Sequence, residues 1–164
     1  MRIIITLAML ILSLSYVSAQ NVEDKDRKFS LSAETGYQIG LNKQRHEAIT
    51  ITANFGYHFD KRWSIHLPIS ANTSLLGNKS YDTQLLLGIA PEYVFGRKSR
   101  TYWSLTPKIQ ASCFGSCNYM LYDIGIKFHT DKSPYTGIGL QFIDPYNTLF
   151  NHSCCIYVCF GFRI

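Results

Sequence analysis

Five cysteines and five histidines carry most of the reactive chemistry open to this chain, and their spacing restricts what that chemistry can be. Cys113 and Cys117 bracket Phe114-Gly115-Ser116, while Cys154, Cys155 and Cys159 lie near the C-terminus. These thiols are disulfide candidates. A Cys113–Cys117 bridge would fasten a small loop, and a bridge from either to Cys154 or Cys155 would tie two distant segments; the odd count leaves at least one thiol over. Zinc fits less well, because His152, Cys154 and Cys155 lack a paired C-x-x-C spacing and adjacent residues of an extended chain point in opposite directions. No metal ligand is assigned. His129-Thr130-Asp131 has no serine-centred motif beside it and is expected in a turn, and the adjacency of His152 and Ser153 does not create base-to-hydroxyl geometry. No catalytic residue and no cofactor are expected, and no phosphate-cradling loop, dinucleotide fingerprint or zinc-finger spacing occurs.

A second set of ionisable residues says more. Glu34, His58, His66, Glu92, Lys108, Asp123, Lys127 and Arg163 are scattered along the chain, yet each falls opposite a stripe of apolar residues that recurs at every second position. In the first block Phe29, Leu31, Ala33, Thr35, Tyr37, Ile39 and Leu41 share one parity, and Ser30, Ser32, Glu34, Gly36, Gln38 and Gly40 share the other. A β-strand sends those two sets to opposite faces. Comparable stripes run over Ile49–Phe59, Trp63–Ala71, Leu85–Phe95, Trp103–Ala111, Met120–Phe128, Thr136–Phe142 and Ile156–Ile164, which makes eight predicted strands. Pro91 and Pro107 lack a ladder donor and argue for bulges or irregularity where they stand.

The connections alternate in kind. Residues 60–62, 96–100 and 130–133 form short charged turns, while 42–47, 72–82, 112–118 and 144–154 are mostly longer and more polar. That rhythm, with an even strand number, predicts an all-β fold: an eight-stranded antiparallel transmembrane β-barrel with its termini on the short-turn side. Closure is required because an open sheet edge in hydrocarbon would leave amides and carbonyls unpaired. The apolar parity would then face lipid and the polar parity would fill the lumen. Inside a narrow lumen the charges are expected as a mixed-sign network that plugs it, with Glu34 and Arg163 as closure partners and Lys108, Asp123 and Lys127 meeting across the fifth and sixth strands. Tyr37, Tyr57, Trp63, Tyr93, Tyr102, Trp103, Tyr119, Tyr135 and Tyr157 are candidates for interfacial girdles.

Composition agrees with an inverted polarity. Charged residues make up 16% and aromatic residues 14% of 164 residues, against a usual charged share of about a quarter, so a charged shell around an oily core describes the chain poorly. At the N-terminus, Arg2 precedes the apolar run Ile3–Leu12 and a Val17-Ser18-Ala19 ending, the pattern of a secretory signal peptide over residues 1–19 with cleavage before Gln20. Residues 20–27 then form a short periplasmic segment and residues 28–164 the barrel. The formal net charge of +5 does not point to nucleic acid. Lys61, Arg62, Arg97, Lys98, Arg100 and Lys132 gather in the short turns, where anionic headgroups or periplasmic partners would meet them.

From residue 28 to the terminal CIYVCFGFRI, the chain resembles the small bacterial outer-membrane β-barrel family, including the compact barrels of Bacteroidetes-type bacteria. The resemblance implies a bacterial outer-membrane location, and outer-membrane lipid and the barrel assembly machinery as partners. It also implies an assembly signal in the last strand, for which Ile156, Val158, Phe160 and Phe162 supply the apolar positions; Ile164 stands where the family usually ends in an aromatic residue. The expected role is structural or surface-interacting, through a surface or periplasmic protein partner, without catalysis. The alternatives are a narrow, porin-like transport channel, a lipid-modifying outer-membrane enzyme, or a soluble lipocalin-like ligand-binding barrel, in which the apolar stripe would face inward.

Overall fold

The computed structural model describes residues 28–41, 47–75, 83–98, 100–114, 118–130, 133–146 and 152–164; the expected signal peptide over 1–19 and the expected segment 20–27 lie outside the described residues. Every alternating block becomes a strand. In chain order they are β1 (Phe29–Gly40), β2 (Glu47–His58), β3 (Trp63–Ser74), β4 (Gln84–Lys98), β5 (Thr101–Phe114), β6 (Tyr119–Thr130), β7 (Pro134–Pro145) and β8 (Ser153–Arg163). Each pairs antiparallel with the next, and β8 returns to β1 from Ser32↔Arg163 to Gly40↔Cys155, so the sheet is a closed eight-stranded barrel.

The strands run further than the alternation alone suggests. β3 continues to Ser74, β5 to Phe114 and β7 to Pro145, and β8 begins at Ser153, which shortens the connections expected at 72–82, 112–118 and 144–154. His129 and Thr130 belong to β6 rather than to a turn. The prolines do not mark the irregularities either. Pro91 pairs with Ile65 and Pro107 with Ile124 in unbroken register, while the register shifts fall between Leu85 and Leu86 and between Phe95 and Lys98. The second shift holds Gly96 at φ 59°, the left-handed backbone that glycine adopts without steric cost.

Side-chain polarity divides at the barrel wall. Leu67, Ile89, Ile109, Ile124, Ile138 and Leu140 are more than half exposed on the outside, whereas Glu34, Gln38, Thr52, Ser70, Glu92, Gln110 and Asp123 are buried within. The lumen is packed by large groups set against glycines. Gly139 pairs with Tyr157, and a Cβ at Gly139 would lie 2.5 Å from the Tyr157 ring and collide with the Ile124 carbonyl oxygen. This wall is backbone, which cannot swing aside.

At the turn between β2 and β3 the Asp60 carboxylate accepts the backbone N–H of Arg62 at 2.6 Å and of Trp63 at 2.7 Å. Those two donors hold its carboxyl below the usual aspartate range. A lowered folded-state value means that Asp60 supports the fold fully above the ordinary aspartate range, and the support is lost as pH falls through the lowered value. Asp60→Asn should therefore lower stability at neutral pH and flatten the acid limb of a stability-versus-pH profile, so that variant and parent converge at low pH. In the packed lumen, Gly139→Ala should lower unfolding stability by about 1–3 kcal/mol, measured by urea titration of the refolded barrel.

Candidate functional site in the barrel lumen

All eight ionisable residues singled out by alternation point into the lumen, where they separate into three clusters. Glu92 on β4 is the hub of the cluster nearest the short turns. His66 Nε2 lies 2.7 Å from its Oε2, His129 Nε2 lies 3.3 Å from its Oε1, and Arg163 Nη2 donates to Oε2 at 3.1 Å. Arg163 also donates to the Tyr102 hydroxyl at 2.6 Å, and the Tyr102 ring stacks on His129 at 4.4 Å. His58 sits at the edge of this cluster, bonded to Ser30 Oγ at 2.9 Å and edge-on to the His66 ring.

Deeper in the barrel, Lys127 Nζ meets Glu34 Oε2 at 2.5 Å, and the Tyr135 hydroxyl donates to the same oxygen at 3.0 Å. Lys108 and Asp123, directly opposite in the β5–β6 register, pair at 2.9 Å, and Asp123 also accepts from Tyr157 at 2.8 Å and Gln141 at 2.9 Å. Lys108 and Asp123 thus meet across the fifth and sixth strands as expected, while the partners of Glu34 and Arg163 differ. Glu34 joins Lys127 rather than Arg163, because Arg163 lies opposite Ser32 at the barrel's edge and reaches across the lumen to Glu92. Glu34, Glu92 and Asp123 are matched by Lys108, Lys127 and Arg163, so these permanent charges cancel.

Toward the long connections the lumen becomes neutral. Gln38 donates to Asn72 at 3.0 Å, Asn72 to Tyr119 at 3.2 Å, and Gln110 to Ser70 at 2.8 Å. Beside them Leu86, Tyr119, Leu121, Ile143 and Cys155 form an apolar cluster. The cavity among Glu34, Glu92, Lys108, Lys127, His129 and Arg163 leaves about 20 Å³ for the centre of a water-sized sphere, room for one or two waters.

Several expectations change. Tyr119, Tyr135 and Tyr157 are buried in the lumen and Tyr102 stacks on His129, so these four leave the girdle, whereas Tyr37, Trp63 and Trp103 remain on the outside. The expected disulfides do not form: Cys113, Cys154, Cys155 and Cys159 are free thiols. Cys113 is exposed on β5, with β6 and β7 between it and β8, and Cys154 and Cys155 point to opposite faces of β8; Cys117 lies outside the described residues. His152 pairs with Asp144 at 2.9 Å, and among the described residues no cluster of three His, Cys, Asp or Glu could hold a metal. His129 is the lumen residue that sequence reasoning placed elsewhere, although the parity of Asp123, Gly125 and Lys127 continues directly to it. It contacts Ser104 at 2.8 Å and Glu92 through the same ring nitrogen, which is not the two-nitrogen relay of a hydrolase triad. In β8, Ile156, Val158, Phe160 and Phe162 all face outward, and Ile164 donates its N–H to the Leu31 carbonyl at 2.7 Å.

No family model matches the chain, and no curated protein sequence matches it. Solved structures do. The Neisserial surface protein A superposes with a TM-score of 0.60 at 10% identity, over 84% of this chain and 97% of that one. The N-terminal β-barrel domain of Pseudomonas aeruginosa OprF gives 0.53 at 11% identity, over 82% and 97%. A designed transmembrane β-barrel gives 0.50 at 5% identity, over 87% and 100%. At these identities the likeness is one of fold: a small outer-membrane-type barrel.

The clusters make a stability prediction. Lys127→Met leaves Glu34 buried without its cation and should cost about 3–5 kcal/mol, whereas Glu34→Gln combined with Lys127→Met should cost well under half of that. Urea unfolding of the two refolded variants, followed by tryptophan fluorescence in lipid vesicles, measures the difference.

Proposed function

We propose that this protein is a bacterial outer-membrane β-barrel, closed to ions, whose role is structural or surface-interacting rather than catalytic. The observation that carries this reading is its inverted polarity: a continuous apolar exterior encloses a lumen of paired charges. In water, outward-facing Ile89, Ile109, Ile124 and Ile138 would form an apolar belt far larger than soluble monomers expose, which argues against a lipocalin-like soluble barrel. In a bilayer the same belt is solvated by lipid, and the closed ladder leaves no unpaired edge.

Insertion of such a barrel calls for the assembly machinery, and the outward stripe of β8 supplies an amphipathic last strand for it to bind. The longest connections, between Ser74 and Gln84 and between Pro145 and Ser153, lie on the side away from the termini, where a surface partner would meet the protein. The fold neighbour from Neisseria is itself described as a surface protein, which supports this placement. The narrower kinship with Bacteroidetes-type barrels rests on the sequence resemblance.

A narrow channel is the competing reading, and the charged lower lumen favours it. Conduction needs a continuous water path, however, and the cluster of Leu86, Tyr119, Leu121, Ile143 and Cys155 occupies the other half of the lumen. The purified protein should fractionate with outer membranes and migrate heat-modifiably on gels, and in planar bilayers it should show no steady conductance. Reproducible single-channel steps would replace this reading with transport, and release as a soluble monomer would overturn both.

A further inference from the structure

The short-turn rim carries exposed cations directly beneath an aromatic sector of the barrel exterior. Lys61 and Arg62 occupy the turn between β2 and β3, both are exposed, and neither enters an ion pair among the described residues. Asp60 turns Oδ1 to the backbone N–H groups of Arg62 and Trp63, and its negative charge offsets part of the Arg62 charge, so Lys28, Lys61 and Arg62 leave the rim net positive. Trp63, half exposed, follows immediately and packs against Tyr93 with ring centroids 4.7 Å apart. On the neighbouring strands Phe29, Tyr57 and Phe59 form a chain of edge-to-face contacts at 5.2 Å, and exposed Lys28 stands beside it, its carbonyl accepting the His58 N–H.

Indole and phenol rings settle at the depth of lipid headgroups, because one end of each is apolar and the other wet. A cation one or two residues toward the turn then lies at the height of the phosphates. We infer that the rim formed by Lys28, Lys61 and Arg62 with the Trp63–Tyr93 pair is a contact site for the headgroup of an anionic glycerophospholipid in the leaflet on the short-turn side. This rests on the proposed membrane placement. Charge complementarity selects the occupant: a zwitterionic headgroup brings no net charge to the rim, whereas phosphatidylglycerol brings one negative charge that the net positive charge of Lys28, Lys61, Arg62 and Asp60 attracts.

The chain has two tryptophans, Trp63 and Trp103, so Trp103→Phe leaves Trp63 as the sole reporter at the site. The barrel carrying this change is refolded into vesicles of phosphatidylcholine containing equal mole fractions of either brominated phosphatidylglycerol or brominated phosphatidylcholine, at low salt. Quenching of Trp63 should report an association constant for the anionic lipid about fivefold above that for the zwitterionic one, the size of one basic residue's contribution at a membrane surface. Adding Lys61→Gln and Arg62→Gln should bring the ratio close to one, with the heat-modifiable gel shift showing that the variant still folds. Equal quenching by both lipids in the parent protein would overturn the assignment and leave the basic rim to a protein partner. A preference that survives in the glutamine variant would overturn it as well. If neither brominated lipid quenches Trp63, the membrane placement itself fails.

Discussion

Pairing of β1 with β8 closes the barrel, and without it there is neither an enclosed lumen nor a continuous outer wall. It joins the two ends of the chain, from Ser32↔Arg163 to Gly40↔Cys155, and turns a sheet with two edges into one with none. In hydrocarbon no water can satisfy an exposed N–H or carbonyl, and each unpaired group would cost several kcal/mol, on the order of the whole stability of a small domain if only a few were left. Once closure is required, strand number sets the diameter, and eight strands enclose a space that side chains can fill.

That space explains the composition of the inner face. Tyr157 and Tyr135 need room, and Gly125, Gly139 and Gly161 provide it, since a Cβ at any of these positions would run into one of those two tyrosines or the neighbouring backbone. The charges are distributed by the same limit. With little room for water, an ion inside must be neutralised by protein, and Glu34, Glu92 and Asp123 each have a cation within about an ion-pair distance. The charged layer lies toward the termini and the apolar cluster toward the long connections, so the lumen is charged at one end and neutral at the other.

Much of this could be read in advance because strands have a period of two. Glu34, His66, Lys108 and Asp123 were assignable to the inner face from parity alone, as Ile109 and Ile138 were to the outer, with no knowledge of which residues meet. Parity also included His129, but the charged stretch around 130–133 looked like a turn and hid it. The tyrosines show where the signal fails: Tyr119, Tyr135 and Tyr157 are as suitable for a girdle as Trp63 by type, and only their face decides. The cysteines fail for a different reason. Export would make disulfides permissible, yet bridging requires Cα atoms within about 7 Å, which is a property of the folded barrel and not of sequence separation.

The strands, their two faces and the short-turn, long-connection rhythm are legible in the residues alone, because alternation and turn chemistry are local and act within a few residues. Which charges meet is set by the closed barrel. Lys127 reaches Glu34 and Arg163 reaches Glu92 across the lumen, between residues 93 and 71 positions apart. Those distances follow from closing the sheet and from the register at which β8 meets β1, and no stretch of the chain carries either.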